Sequence, residues 1–365
     1  MGGFSGAEEM KLIRFSTSGA AVAGASLALS SILPTQANAQ SIQQEVINNV
    51  IQNILQNVRD QIQHRRVLPS PGMMRFSSEE SDFDNRNPFA TQNAGNPFEA
   101  LAYAKAPSMA VAPIAAWLYG VNGVGSVDRT STIFNDTKTV SATGAVDVTK
   151  IGIFTATDAL TFIGTGSGAW SHTTGVAPWL DTTTSSGAGT LAYTNGGFST
   201  DFTANASWTS NTLAGAGIFA PPDSSAISYT GNVQYKYDLA YAFWVEPTVG
   251  VTYTDTYTAN FGTKIGDSTE VHGGARIGTE IKWMGFTVQP TLSGAVFKIV
   301  DQSPAVGPVL SDQLGGRGSG KLNIIWNNAF STYIEAHGSG IAGTKTLGFV
   351  GTQTYGGSGG LRYTF

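Results

Sequence analysis

Histidine is the side chain best suited to acid–base chemistry near neutral pH. The chain contains four of them: His64, His172, His272 and His337. His272 has carboxylates close to it in the sequence, and a histidine beside a carboxylate can act as a general base. The same grouping, which includes an arginine, is also typical of ion pairs that hold a protein wall in shape. We favour that structural role for the cluster of Glu270, His272, Arg276 and Glu280.

Nucleophilic and metal chemistry have less support. His172 follows Ser171, but no third group near them in the sequence would orient the imidazole. The chain lacks an HExxH zinc motif, a phosphate-binding loop and an acidic calcium repeat. It has no cysteine, which excludes disulfides, thiolate catalysis and cysteine metal sites. The sequence therefore predicts no catalytic residue, no metal ligand and no cofactor.

Charged residues are scarce. They make up 12% of the chain, which is about half the usual share for a soluble domain. The net charge of −5 is too mild to indicate nucleic-acid binding, so we expect no nucleic-acid partner. Beyond the amino-terminal region, no stretch offers the ~20 apolar residues that a membrane-spanning helix needs.

Residues 1–39 are typical of a secretory signal. Lys11 and Arg14 supply its positive region, and an apolar stretch follows. Ala37-Asn38-Ala39 fits a small-x-small cleavage site, which makes Gln40 the expected first residue of the mature chain.

Residues 40–66 are predicted to form an amphipathic helix. Isoleucine and valine recur every fourth residue from Ile42 to Ile62, with no proline or glycine to interrupt them. Residues 67–106 contain four prolines and a polar run. We interpret them as a spacer or short passenger, with a short helix predicted over 97–105.

Residues 107–365 alternate between apolar and polar side chains, which is the period of a β-strand with two different faces. The chain ends in this way, with Leu361, Tyr363 and Phe365 on the apolar face. In the clearest segments every charged residue lies on the other face. One of these charged residues is Lys236. The others we predict, together with His272, to line a lumen: Asp201, Glu246, Glu270, Arg276, Glu280, Lys282 and Arg362. A charge that faces mid-bilayer lipid costs about 2–4 kcal/mol, so this asymmetry predicts strands between hydrocarbon and water.

Turn signals divide this region into about twelve strands, which predicts an all-β, transmembrane antiparallel β-barrel. We place them near 111–122, 143–154, 157–171, 186–194, 196–209, 226–237, 239–254, 268–283, 285–299, 320–336, 343–354 and 357–365. Short connections are expected on the periplasmic side and long ones outside. In the second strand Val146 and Val148 are out of phase with Ile151, so we expect a bulge or a different boundary there.

Over about residues 107–365 the chain resembles the translocator domain of autotransporters. Four short motifs occur in the same order: AWLYG at 116–120, WVEPTVGV at 244–251, GARIG at 274–278 and GGLRYTF at 359–365. The resemblance implies a twelve-stranded barrel in the bacterial outer membrane, in contact with its lipid. It also implies insertion by the barrel-assembly machinery, which would read the final strand through Leu361, Tyr363 and Phe365. A helix in the pore and export of an amino-terminal passenger are implied as well.

The chain departs from that pattern in its amino-terminal part. Only about 70 residues separate the cleavage site from the first strand, too few for a long β-helical passenger. The helices at 41–66 and 97–105 are both candidates for the pore helix. The isoleucine and valine stripe of the first argues against a simple plug, because a hydrated lumen should prefer a polar helix. It favours self-association through 41–66, or packing on a membrane surface.

The leading hypothesis is an outer-membrane barrel that anchors or displays a short amino-terminal segment. A small outer-membrane pore is the alternative if the first helix lies outside the lumen. An outer-membrane hydrolase is the third reading and would depend on His272. Self-cleavage has weak support: Glu45-Val46-Ile47-Asn48-Asn49 only loosely resembles the asparagine pair at which some autotransporters cleave themselves.

Overall fold

A computed structural model describes residues 50–52, 54–56, 58–62, 117–132, 135–155, 157–175, 179–213, 222–304, 313–341 and 351–365. The predicted signal, the spacer and the predicted helix over 97–105 lie outside these residues. The described residues between 50 and 62 are helical and fall within the helix predicted over 40–66. No helix in the described part of the chain is long and apolar enough to cross a bilayer.

Most of the remaining described residues form one antiparallel sheet of twelve strands, and two short 3-10 helices, Ala240–Ala242 and Ala259–Phe261, lie in its connections. Its strands are β1 Trp117–Ser131, β2 Asn135–Ile151, β3 Asp158–Gly175, β4 Leu180–Asn195, β5 Phe198–Leu213, β6 Ser224–Tyr235, β7 Phe243–Thr258, β8 Lys264–Thr279, β9 Phe286–Pro304, β10 Gln313–Ile325, β11 Phe330–Ile341 and β12 Thr352–Thr364. After a one-residue break, β6 continues at Tyr237–Asp238 and β8 at Ile281–Trp283.

The sheet closes on itself. Each strand pairs with the strands before and after it, and β12 pairs with β1. The final residue takes part in this seam. The N–H of Phe365 donates to the carbonyl of Tyr119 at 3.1 Å, and the N–H of Tyr119 donates to the carbonyl of Phe365 at 3.2 Å. Closure leaves no strand edge without hydrogen-bond partners. The predicted transmembrane β-barrel of about twelve strands is confirmed.

The two ends of the barrel differ in what they carry. At one end, here named the closing end, lie the first residue of β1, the last residue of β12 and the connections after β2, β4, β6, β8 and β10. The connections after β1, β3, β5, β7, β9 and β11 lie at the opposite end, here named the loop end. The even strand count places both termini of the barrel at the same end.

The outer face is apolar. Residues alternate along each strand, so that in β5 the Phe202 side chain is 54% exposed while its neighbour Asp201 is only 3% exposed. Exposed aromatic side chains gather at the closing end: Trp117, Tyr119, Tyr235, Tyr237, Phe243, Trp283, Trp326, Tyr363 and Phe365. Aromatic girdles of this kind flank the apolar band of membrane barrels, where the rings lie at the headgroup level.

The inner face is polar, and much of it is satisfied by hydroxyl pairs between neighbouring strands. Thr149 of β2 and Thr161 of β3 face each other in the register, with their Oγ1 atoms 2.9 Å apart. The same arrangement occurs at Thr130–Thr354, Thr137–Thr173, Thr139–Ser171, Thr184–Thr209, Thr190–Thr203 and Thr230–Thr252. Cross-strand hydroxyl pairs stabilise a sheet and let the wall satisfy its own polar groups.

Several strand boundaries were wrong. The first strand runs to Ser131 rather than ending at 122, and the second begins at Asn135 rather than 143. The phase change near Ile151 is a strand end, because β2 pairs with β3 without a register shift up to that residue. Gly152 follows it with a φ of 75°, the left-handed conformation that ends the strand.

Two further errors cancel in the strand count. The strand predicted over 320–336 contains a turn at 326–329, where Asn327 Oδ1 accepts two backbone N–H groups at 2.8 Å. The break predicted after 354 is absent, because β12 runs through it. The glycine at 356 leaves room for side chains of the two strands that flank β12 to meet: His337 Nε2 of β11 lies 2.6 Å from Asp128 Oδ1 of β1.

A charge on the outer wall tests the two-faced barrel. Leu292 lies near the middle of β9 and is 64% exposed. Leu292→Arg should lower the free energy of unfolding by roughly 2–4 kcal/mol, because it places a charge in mid-bilayer lipid. Denaturant unfolding in lipid vesicles measures this. Val300→Arg, on the same face near the loop end, is the control and should cost about 0–1 kcal/mol. Equal losses at the two sites would contradict this account of the outer face.

Candidate functional site: a helix docked in the barrel lumen

The helical residues lie inside the barrel. Their apolar stripe consists of Val50, Ile54, Val58 and Ile62, all almost fully buried. It packs against an apolar patch on the inner wall of β2, β3 and β4, formed by Ala145, Ile163, Ala169 and Ala192. Burial of matching apolar surfaces stabilises this contact.

This packing corrects the expectation that an apolar stripe argues against a plug. The wall is not uniformly wet, because it carries small and branched apolar residues where the stripe docks. The stripe of residues 50–62 is therefore covered within the barrel, and is not free for self-association or for a membrane surface.

The direction of the helix follows from its contacts at the two ends. Ile51 and Leu55 pack on Ala226, near the loop end of β6. At the other end, Arg362 Nη1 of β12 donates to the backbone carbonyl of Gln61 at 3.2 Å. Residue 50 thus points toward the loop end and residue 62 toward the closing end.

Arg59 joins the helix to β6 and β8. Its Nη2 donates to Asn232 Oδ1 at 2.8 Å and lies 3.2 Å from His272 Nε2. His272 Nε2 also lies 2.9 Å from Asn232 Oδ1, and its Nδ1 lies 3.4 Å from Glu270 Oε1. Glu270 in turn accepts a hydrogen bond from Arg317 Nη2 at 2.6 Å. His272 is therefore enclosed in a network that links the wall to the helix, which is the arrangement expected of a structural role.

Asp60 joins the helix to β8 and β10. It forms an ion pair with Lys321, and its Oδ1 lies 3.9 Å from Arg276 Nη1. Arg276 also pairs with Glu246, which is fully buried. Removing one partner from a buried ion pair typically costs about 3–5 kcal/mol, because the other charge is left without compensation. These pairs therefore resist any shift of the helix along the lumen.

Two glutamines, one on each side of Asp60 along the helix, add further contacts with the wall. Gln56 Nε2 donates to Glu335 Oε1 of β11. Arg362, which holds the Gln61 carbonyl, also donates to Asp147 Oδ1 of β2 at 3.2 Å. The helix is thus bound on its apolar side by β2–β4 and on its polar side by β6, β8, β10, β11 and β12.

One glycine makes the Arg59 network geometrically feasible. Gly250 of β7 lies between Asn232 of β6 and His272 of β8. A Cβ at this position would overlap both the Asn232 amide oxygen and the His272 ring nitrogen. The missing side chain therefore lets residues of two non-adjacent strands bond directly.

The other predicted residues are distributed as follows. Asp201 is buried and accepts a hydrogen bond from Asn232 Nδ2 at 2.8 Å. Glu280 falls in the break of β8, and Lys282 is exposed in the short continuation beyond it, so the structure does not bring these two together with His272. His64 and the asparagine pair at 48–49 lie outside the described residues.

The adjacent serine and histidine at 171 and 172 face opposite sides of the wall. Ser171 is buried and bonds Thr139 inside the barrel. His172 is on the outer face, where its Nδ1 lies 2.6 Å from Asp181 Oδ1. Successive strand residues point in opposite directions, so the serine and the imidazole cannot act together. Within the described ranges, no three acidic or histidine side chains are grouped to hold a metal ion.

Sequence reasoning missed several residues of this site. They are Gln56, Arg59, Asp60, Asn232, Arg317, Lys321 and Glu335. The helix pair Arg59–Asp60 could have been noticed as the adjacent charges in a stretch of Gln and Asn. Arg317 and Lys321 share one parity of β10, but that parity was hidden by the misplaced boundary of the strand.

Comparisons with known proteins give matches in structure. No family model matches the chain, and no curated protein matches it in sequence. Among solved structures, the β-domain of the Bordetella autotransporter BrkA matches with a TM-score of 0.54 at 15% identity, over 68% of this chain and 99% of that one. The translocator domain of NalP from Neisseria meningitidis gives 0.47 at 10% identity, over 68% and 88%. The transport unit of AIDA-I from Escherichia coli gives 0.42 at 14% identity, over 73% and 96%.

The BrkA likeness establishes a class of fold. The chain is an outer-membrane-type β-barrel with the fold of an autotransporter β-domain. Its particular features are the apolar patch of β2–β4, the ion pair of Asp60 and the hydrogen bond of Arg59.

A charge reversal tests the docking of the helix. Asp60→Lys would place a cation against Arg276 and Lys321, and should lower the free energy of unfolding by roughly 3–5 kcal/mol. Adding Lys321→Asp restores an opposite pair and should recover part of the loss. Denaturant unfolding of the wild-type chain, both single variants and the double variant completes the cycle. Losses that simply add would show that the two residues do not interact.

A glycine substitution tests the network around His272. Gly250→Ala should destabilise the barrel because the new Cβ would displace Asn232 and His272 from each other. We expect a loss of about 1–3 kcal/mol, typical of overpacking. Gly231→Ala in the neighbouring β6, where a Cβ meets nothing within 4 Å, is the control and should change stability little. The account of this network fails if the two variants unfold alike.

Proposed function

We propose that this chain is a bacterial outer-membrane barrel of the autotransporter type, with its lumen closed by its own helix and an amino-terminal segment carried at one mouth. One observation supports this above all others: the described residues between Val50 and Ile62 lie in the lumen. Their apolar side packs on an apolar wall, Asp60 pairs with Lys321, and Arg59 is hydrogen-bonded to Asn232. A helix held in this way blocks a channel and fixes the path of the chain through the membrane.

The sidedness of the proposal follows from the two barrel ends. In outer-membrane barrels the chain termini of an even-stranded barrel and the short turns face the periplasm. The closing end would then be periplasmic and the loop end would face the outside. Because residue 50 points toward the loop end, the residues before it would leave the barrel on the outer side. This supports anchoring or display of a short amino-terminal segment.

The same geometry bears on residues 67–106, interpreted from the sequence as a spacer or short passenger. The segment 63–116 starts after Ile62 and ends before Trp117, and both of these residues belong to the closing end. We propose that this segment stays on the periplasmic side and is not the displayed part.

The other two functions receive less support. A permanently open pore would need the lumen to be free of the helix, whereas the described helical residues occupy it. A hydrolase would need an accessible base, whereas His272 is 4% exposed and surrounded by Arg59, Asn232 and Glu270.

For assembly, the closing seam at Phe365 supports recognition of β12 by the barrel-assembly machinery, with outer-membrane lipid on the apolar face.

Conductance in planar bilayers tests the closed lumen. The full chain should show low conductance with rare openings, because the helix fills the barrel. Deletion of 40–66 should produce a large and steady conductance. Deletion of 70–105, which removes more residues but leaves the helix, is the control and should stay closed. A deletion of 40–66 that conducts no better than the full chain would contradict the proposal.

Protease treatment of intact cells tests the sidedness. A tag inserted after Glu45 should be removed, because it would lie beyond the loop end. A tag inserted near Ser77 should be protected, because it would lie on the periplasmic side. The opposite result at either site would overturn the proposed path of the chain.

A further inference from the structure

Three basic side chains stand side by side on the outer face near the loop end. Arg129 of β1 lies opposite Lys138 of β2, and Lys138 lies opposite His172 of β3. All three point away from the lumen, with Arg129 and His172 side chains 47% and 34% exposed and Lys138 also exposed. We name this set the basic row.

The basic row marks the edge of the apolar band. At a distance of two positions toward the middle of each of these strands, the outer face carries Val127, Val140 and Trp170. These three side chains face each other in the register and are exposed. The surface therefore changes from hydrocarbon-compatible to basic within one step along each strand. In a bilayer this level corresponds to the headgroups.

Two carboxylates pair with the outer members of the row. Arg129 donates two hydrogen bonds to Asp136 from Nε at 2.9 and 3.0 Å, and His172 lies against Asp181. Lys138 lies between them and has no ion pair among the described residues. Like charges directly opposite each other on adjacent strands are destabilising. An anion bound at Lys138 would supply the ion pair that this central member lacks among the described residues.

We propose that the basic row binds the phosphate groups of a glycolipid headgroup in the outer leaflet. The assignment rests on the proposed function, because that function places the loop end outside. Lysine and arginine donate charge-assisted hydrogen bonds to phosphate, and basic clusters next to a membrane recognise anionic headgroups. The row is continuous with the lipid-facing band, so a lipid anion can reach it with its chains on Val127, Val140 and Trp170.

Thermal unfolding of the full chain in nanodiscs tests the site. The probes are phosphatidylcholine alone, phosphatidylcholine with bis-phosphorylated lipid A, and phosphatidylcholine with dephosphorylated lipid A. Bis-phosphorylated lipid A should raise the unfolding midpoint by roughly 2–4 °C, the size of shift that a modest bound-state stabilisation gives. Dephosphorylated lipid A should raise it by less than half as much.

Two variants locate the effect. Lys138→Glu should lose most of the rise caused by the phosphates. Lys298→Glu is the matched control, since Lys298 is exposed on the outer face of β9 and is not part of the basic row. It should keep the rise. Each variant is compared with its own midpoint in phosphatidylcholine alone, which removes effects of the substitution on stability.

Three outcomes would overturn the inference. They are an equal response to the two forms of lipid A, an equal response of the two variants, and a Lys138-dependent rise produced by inorganic phosphate alone. Failure of the chain to fold in any nanodisc would be a different result, because it would remove the proposed function itself.

Discussion

The constraint on which the structure depends is that backbone polar groups have no water to bond in hydrocarbon. Every strand must then find a partner on both sides, which only a closed sheet provides. The seam between β1 and β12 meets this requirement as far as the last residue, where Phe365 and Tyr119 exchange backbone hydrogen bonds. Closure also defines an inside and an outside, and the two-residue period of the strands sorts side chains between them.

The lumen follows from that sorting, but it is more than the polar side of the wall. Hydroxyl pairs satisfy much of β1–β7, and an apolar patch on β2–β4 receives one face of the helix. On the other face, Arg59 and Asp60 meet side chains of opposite charge or hydrogen-bonding capacity from β6, β8 and β10. Buried ion pairs contribute little net stability but penalise misplacement strongly. We therefore regard the apolar patch as the source of affinity and the ionic contacts as the source of register.

The sequence predicts the faces of the barrel well and its contacts poorly. Asp201 and Glu246 could be assigned to the inner side because a period of two leaves only two choices. The twelve strands were counted correctly only because a missed turn at 326–329 offset a false break. Gly356 lies at that false break, and a glycine can signal either a turn or the close approach of neighbours. The apolar patch around Ile163 could not be predicted, because it depends on which strands face a helix about 100 residues away in the chain.

The most direct test of the account measures what solvent each face of a strand meets. The chain has no cysteine, so single cysteines along β5 can carry a nitroxide in lipid vesicles. Positions 202, 204 and 206 should collide strongly with oxygen dissolved in the bilayer, while 203, 205 and 207 should be shielded from it. An alternation with period two supports hydrocarbon on one face and a filled lumen on the other. Uniform contact with a water-soluble nickel complex at all six positions would contradict the account.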